Sequence, residues 1–148
     1  MTQAGAVQVP VAADSAGTPA VIAALPYVGI RDTRTATAEA NDPQASCATT
    51  EPAKTIWWRV TAPETGQMEV VMLGQRYDVA GNSGLVVSAY AGTRELGCVA
   101  TPRGTGAWVY RSFRFAVTKG SPYSILGSAT GATALDGGYT VLGVRMIP

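Results

Sequence analysis

Residues 55–66 read TIWWRVTAPETG, a stretch in which apolar and polar side chains alternate before a turn that contains Pro and Gly. Alternation with a period of two indicates an extended strand, with Ile56, Trp58 and Val60 on one face and Trp57 on the opposite face. One tryptophan therefore belongs to a core, and the other either packs between layers or faces a ligand.

The segment after this strand repeats the same alternation. Pro63 and Gly66 supply turn residues, and apolar side chains then recur at every second position of residues 67–73. The two strands and the short turn between them predict a β-hairpin.

The rest of the chain follows the same pattern of strand and turn. Charged residues make up 14% of the 148 residues and glycine occurs 17 times, which is typical of short strands joined by tight turns. Eight or so strands at this spacing predict an all-β domain built as a two-sheet sandwich. Its further predicted strands are residues 85–91, 96–100, 108–117, 123–128 and 139–147.

Composition argues against several classes of function. The net charge is +1, so the electrostatic attraction that drives nucleic-acid binding is missing. No apolar run approaches the roughly 20 residues that span a bilayer, and residues 1–17 lack the charged start and apolar core of a signal peptide. The chain has no histidine, and neither Lys54 nor Lys119 has a recognisable serine partner, so we expect no enzymatic activity.

Residues 1–24 form a separate region, an extended N-terminal arm that precedes a sandwich domain at residues 25–148. Val7, Val9 and Val11 alternate as in a strand, and Pro10 cannot donate to a β-ladder, which favours a sheet edge. The arm either packs along its own sandwich or adds a strand to the sheet of a neighbouring copy.

Two groups of side chains are candidates for ligand binding. Trp57, Trp108 and Tyr110 could form an aromatic platform for a glycan or another polymer, although partly buried aromatic residues are normal in sandwiches. Candidate oxygen ligands for calcium are Glu39, Asn41 and Asp42, with Asp78 joining from another loop. Asn and Asp before Pro are ordinary turn formers, so we favour that interpretation and expect no cofactor.

The two cysteines, Cys47 and Cys98, suit one disulfide bond in an oxidising compartment or two buried thiols. Without histidine, two thiols cannot complete a tetrahedral zinc site unless carboxylates or another chain contribute.

The order of the motifs between about residues 24 and 146 resembles the bacterial pre-peptidase C-terminal domain family. Residues 55–66 are similar to its aromatic strand and turn, and residues 87–92 are similar to a strand end that follows in the family pattern. Similar segments occur at residues 24–27, 41–47, 77–78, 119–125 and 137–141.

This resemblance implies a jelly-roll-like sandwich from a secreted or cell-surface bacterial protein, and it favours a bridge between Cys47 and Cys98. Some members of the family bind calcium and some bind insoluble substrates such as collagen. The segment after Cys98 lacks the acidic cluster often seen in the family, and residues 79–84 are an insertion, so both departures argue against a calcium site.

We expect a noncatalytic structural protein whose copies assemble, as in a surface filament, through the arm and the exposed sheet edges. The alternative is an accessory domain that holds a secreted hydrolase or cell-surface protein on a polysaccharide or protein polymer. A virion surface protein is a third interpretation.

Overall fold

The computed structural model describes residues 16–32, 36–39, 41–48, 54–75, 85–100, 108–129 and 139–148. These residues contain nine strands, in agreement with the all-β prediction. The strands are β1 (Ala20–Ile22), β2 (Tyr27–Asp32), β3 (Lys54–Thr61), β4 (Gly66–Gln75), β5 (Leu85–Ala91), β6 (Arg94–Ala100), β7 (Trp108–Val117), β8 (Pro122–Ala129) and β9 (Tyr139–Ile147). No stretch within these ranges forms a helix suited to crossing a membrane.

The strands form two sheets that face each other, so the predicted jelly-roll-like sandwich is confirmed. Sheet A has four strands in the order β2-β9-β4-β7, and sheet B has five in the order β1-β3-β8-β5-β6. All pairs are antiparallel except β1 with β3, which are parallel. Strand β1 lies within the predicted arm and extends sheet B at its edge.

The core between the sheets follows from the alternation in the sequence. Side chains at every second position of each strand point inward, and Trp58 is the largest that is fully buried. Its indole lies over Gly127 on β8, where an added Cβ would come within 3.0 Å of the ring. Other fully buried side chains of this core are Ile56, Met68, Met72, Leu85, Ile125, Leu142, Val60, Val70, Val87 and Val144.

The predicted hairpin between β3 and β4 is wrong. Strand β3 pairs with β1 and β8 in sheet B, whereas β4 pairs with β9 and β7 in sheet A. The connection is an arch, and the apolar faces of the two strands oppose each other across the core. Both edges of each strand are occupied by other partners, so the two cannot also pair with each other.

This arch is held by a second one, the connection from β7 in sheet A to β8 in sheet B. The amide of Ala62 donates to the carbonyl oxygen of Ser121 at 3.0 Å, and the amide of Gly120 donates to the carbonyl oxygen of Ala62 at 2.9 Å. Gly120 has a φ of 84°, which a residue with a side chain rarely adopts. Ordinary turn residues can thus serve a crossing between sheets as well as a hairpin.

Candidate functional site

A segment of the chain covers the outer face of sheet B. We call residues 36–39 and 41–48 the strap. Its central anchor is Asp42, whose Oδ2 accepts hydrogen bonds from the Thr55 hydroxyl at 2.7 Å and from the Glu39 amide at 2.8 Å. The other oxygen, Oδ1, accepts from the indole Nε1 of Trp57 at 3.2 Å. One carboxylate therefore ties the strap to two side chains of β3.

The far end of the strap is fixed to β6. A disulfide bond joins Cys47 to Cys98 with a Cα–Cα distance of 6.0 Å, which confirms the predicted pairing. Next to it, the Ser46 amide donates to Glu95 Oε1 at 2.9 Å, and the Ser46 hydroxyl donates to Glu95 Oε2. A covalent bond and a carboxylate thus hold the strap over the edge of sheet B.

Beneath the strap lies a second, smaller core. It consists of Trp57, Tyr90 and Leu126, all of which point outward from sheet B. The rings of Trp57 and Tyr90 are 6.2 Å apart between centroids, and the Tyr90 hydroxyl accepts a hydrogen bond from Ser88 at 2.9 Å. Burial raises the pKa of Tyr90. The two neighbouring tryptophans therefore belong to two separate cores on opposite sides of sheet B.

This arrangement corrects the predicted aromatic platform. Trp57 is 6% exposed and packs against Tyr90 and Leu126 in this small core, so it does not form an exposed platform. Trp108 begins β7, and its side chain lies outside the described residues. Tyr110 is 58% exposed but lies on sheet A, on the other side of the molecule from Trp57. The structure does not bring Trp57 and Tyr110 together.

The candidate calcium ligands are only partly within the described residues. Glu39 and Asn41 are exposed on the strap, and Asp78 lies outside the part that the structure describes. Both oxygens of Asp42 are occupied by the hydrogen bonds that hold the strap. Among the described residues, no three His, Cys, Asp or Glu side chains lie close enough together to hold a metal ion.

The outer face of sheet A is different, because it carries exposed apolar side chains. Directly paired residues share a face, so the ladder brings Ile30, Val141, Leu73 and Tyr110 into one row across all four strands. Three strand spacings make this row about 14 Å long. Ile30 is 59% exposed and Tyr110 is 58% exposed, so both ends of the row face solvent.

A second row lies beside the first. It contains Val28, Gly143, Val71 and Ser112, and Val28 is 72% exposed. Gly143 has no side chain, so the middle of this row is lower than its ends. The two rows together form a shallow apolar surface, which we call the sheet A platform.

A charged row borders the platform. Glu69 on β4 lies between Arg145 on β9 and Arg114 on β7 in the ladder. Arg145 Nε donates to Glu69 Oε1 at 2.8 Å, and Arg114 Nε donates to Oε2 at 3.3 Å. The Glu69 side chain is 9% exposed, whereas the arginine side chains are 54% and 57% exposed. The Arg145 hydrogen bond is the main cause that lowers the pKa of Glu69.

Two cations thus share one anion at the surface. Each arginine uses Nε for Glu69, and among the described residues neither guanidinium forms an ion pair with a further carboxylate. Both arginines lie in the ladder row next to the sheet A platform. A ligand could therefore place an anionic group on the arginines and an apolar surface on the platform.

The residues of the predicted assembly arm, Val7, Val9 and Val11, lie outside the described residues. The filament hypothesis therefore stays a prediction.

Comparison with known proteins gives a similarity of fold. No protein-family model matches the sequence, and no curated protein is similar to it in sequence. The pre-peptidase C-terminal domain of a collagenase from Bacillus anthracis has 10% identity and a TM-score of 0.50, over 86% of this chain and 94% of that one. The resemblance predicted from the sequence is thus confirmed at the level of the fold.

Carbohydrate-binding modules are also among the similar structures. The C-terminal CBM6 of LamC from Zobellia galactanivorans has 14% identity and a TM-score of 0.45, over 80% of this chain and 99% of that one. A CBM6 from lichenase 5A of Cellvibrio mixtus, solved with cellotriose, has 13% identity and a TM-score of 0.42, over 81% and 98%.

Proposed function

We propose that this chain is a noncatalytic binding domain that holds a carboxylate-bearing polysaccharide on the outer face of sheet A. The sugar rings would lie on the sheet A platform, and their carboxylates would pair with Arg114 and Arg145. In this role the domain would keep a secreted hydrolase or cell-surface protein on its polymer.

The observation that carries this proposal is the charged row beside the platform. Arg114 and Arg145 are held in place by Glu69, so little side-chain entropy is lost when they bind an anion. A uronic acid polymer offers carboxylates for bidentate contact with a guanidinium and, on neighbouring rings, apolar C–H groups for contact with Tyr110 and Leu73. The charged row and the platform row that contains Tyr110 and Leu73 lie about 13 Å apart along the strands, which suits several successive rings of such a polymer.

The same residues support a noncatalytic role. Glu69 lies in the ladder row next to the platform, and two arginines hold its pKa below the usual value. A carboxylate that stays ionised is a poor general acid, and its two oxygens are occupied by arginine donors. The disulfide between Cys47 and Cys98 fits secretion or exposure at the cell surface, where the environment is oxidising.

Isothermal titration with polygalacturonate tests the proposal, with methyl-esterified polygalacturonan as the neutral counterpart. The wild-type chain should bind polygalacturonate and should bind the ester more weakly. Arg145→Gln and Arg114→Gln should each weaken binding about tenfold, since a hydrogen bond to a charged group contributes about 1.5–3 kcal/mol. Tyr110→Ala should also weaken it, through the lost ring contact.

Arg59→Gln is the matched control for charge, because Arg59 is exposed on β3 of the other sheet. It should bind polygalacturonate as the wild type does. Equal binding of both polymers, or equal loss in Arg59→Gln and Arg145→Gln, would show attraction by overall charge and contradict the proposal. Failure of the wild type to bind, together with self-association in light scattering, would favour the filament hypothesis instead.

A further inference from the structure

A cavity of about 520 Å³ lies at one end of the sandwich. It is formed by the start of β6, the end of β7 and the turn that leads into β8. The residues that matter here are Arg94, Leu96, Phe115, Thr118, Ser121 and Tyr123. Its volume falls in the range of small-molecule sites, about 300–1,000 Å³.

The floor of this cavity is apolar and well ordered by packing. Phe115 and Tyr123 are buried, and their ring centroids lie 5.8 Å apart at an interplanar angle of 59°. The Tyr123 hydroxyl accepts a hydrogen bond from the Thr118 amide at 2.8 Å, which fixes the ring. Leu96, which packs against the core, supplies an aliphatic wall.

The rim of the cavity carries hydrogen-bond donors that the fold does not use. Within the described residues, the Arg94 guanidinium makes no ion pair, and the hydroxyls of Thr118 and Ser121 make no hydrogen bond. The neighbouring carboxylate of Glu95 is bound to Ser46 on the strap. One cation and two hydroxyls therefore surround an apolar floor with no carboxylate among the lining residues.

We infer that this cavity binds a small monocarboxylate with an apolar body. The aryl or alkyl part lies against Leu96 and against the small parts of Phe115 and Tyr123 that line the cavity, and the carboxylate pairs with Arg94 while the hydroxyls donate to it. Charge complementarity selects the anion, because Arg94 has no counterion among the lining residues. This site is separate from the sheet A platform and does not depend on the function proposed above.

Titration with 3-phenylpropionate, followed in ¹H–¹⁵N spectra of the full chain, tests this inference. We expect a Kd on the order of 1 mM, as for a small fragment. The amide shifts should concentrate at Leu96, Phe115 and Ser121. The alcohol 3-phenylpropan-1-ol, which lacks the charge, should bind about tenfold more weakly, and acetate, which lacks the apolar body, should not saturate.

Arg94→Gln should weaken 3-phenylpropionate binding at least about tenfold, and Arg59→Gln should leave it unchanged. Arg94 is exposed, so this variant should fold. No saturation by about 10 mM 3-phenylpropionate, equal binding by Arg94→Gln, or shifts centred on the sheet A platform would overturn the inference. Arg94→Gln should still bind polygalacturonate, which separates a failure here from a failure of the proposed function.

Discussion

Replacing Asp42 with alanine should detach the strap from sheet B. The carboxylate accepts from the Thr55 hydroxyl at 2.7 Å, the Glu39 amide at 2.8 Å and the Trp57 indole at 3.2 Å. In this variant the Glu39 amide, which is on an exposed segment, can donate to water. The Thr55 hydroxyl can still donate to the Thr37 carbonyl oxygen, which is 3.0 Å away. The main loss is therefore the acceptor for the indole N–H, which is left in a largely buried place.

The size of the effect follows from these partners. An unsatisfied buried donor costs about 1–3 kcal/mol, and the lost charge-assisted bond from Thr55 adds about 1 kcal/mol. We expect Asp42→Ala to lower the free energy of unfolding by about 2–4 kcal/mol. Asp42→Asn keeps one acceptor oxygen and should lose about half as much.

Urea unfolding of the full chain with its disulfide intact measures these differences by tryptophan fluorescence and circular dichroism. Glu39→Ala removes a carboxylate from the same segment and is the control, with an expected change within about 0.5 kcal/mol. A double-mutant cycle with Trp57→Phe should give a coupling of about 1 kcal/mol between indole and carboxylate. A loss below about 0.5 kcal/mol in Asp42→Ala, or zero coupling, would refute this account of the strap.

Two further predictions concern the small core and the edge of the sandwich. Burial raises the pKa of Tyr90 in the folded protein above its unfolded value of about 10. The neutral phenol therefore contributes its full stabilisation below about pH 10, and this contribution is lost as the pH rises through the folded pKa. In Tyr90→Phe the urea midpoint of unfolding should fall less at alkaline pH than in the wild type, whereas the control Tyr110→Phe, at an exposed position, should behave as the wild type does. Equal pH profiles in the two variants would contradict the role of Tyr90. Gly97→Ala should lower the free energy of unfolding by about 1–3 kcal/mol, because the added Cβ would lie 2.4 Å from the Phe113 ring. Phe113→Leu in the same chain should recover part of that loss, and strict additivity in thermal melts would count against the contact.

Much of the fold could be predicted because strand alternation is a local signal. The predicted strands at residues 85–91, 108–117 and 139–147 agree with β5, β7 and β9 to the residue. The hairpin prediction was wrong because a short turn between two alternating strands leaves two arrangements open. Pairing within one sheet and crossing between sheets both bury the apolar faces. Only the other strands, which occupy the edges of β3 and β4, exclude the hairpin.

The position of Trp57 shows a second limit of prediction from local sequence patterns. Alternation places Trp57 opposite Trp58, which is correct, but it does not say what lies against the outward face. The cover comes from Asp42 on the strap, and the sequence marks Asp42 only as a turn former or calcium ligand. The disulfide between Cys47 and Cys98 is the one long-range clue, because it ties the same segment to β6.

The charged row at the platform depends on register more than on residue type. Glu69 meets Arg114 and Arg145 across sequence separations of 45 and 76 residues, and a shift of one residue in either strand would turn an arginine inward. In the sequence, both arginines are simply polar residues of the outward face in alternating strands. Their grouping appears only when β7 and β9 flank β4 in this register. The same register aligns Leu73 with Tyr110 and Val141, so the ladder that holds the sheet together also builds the surface proposed for binding.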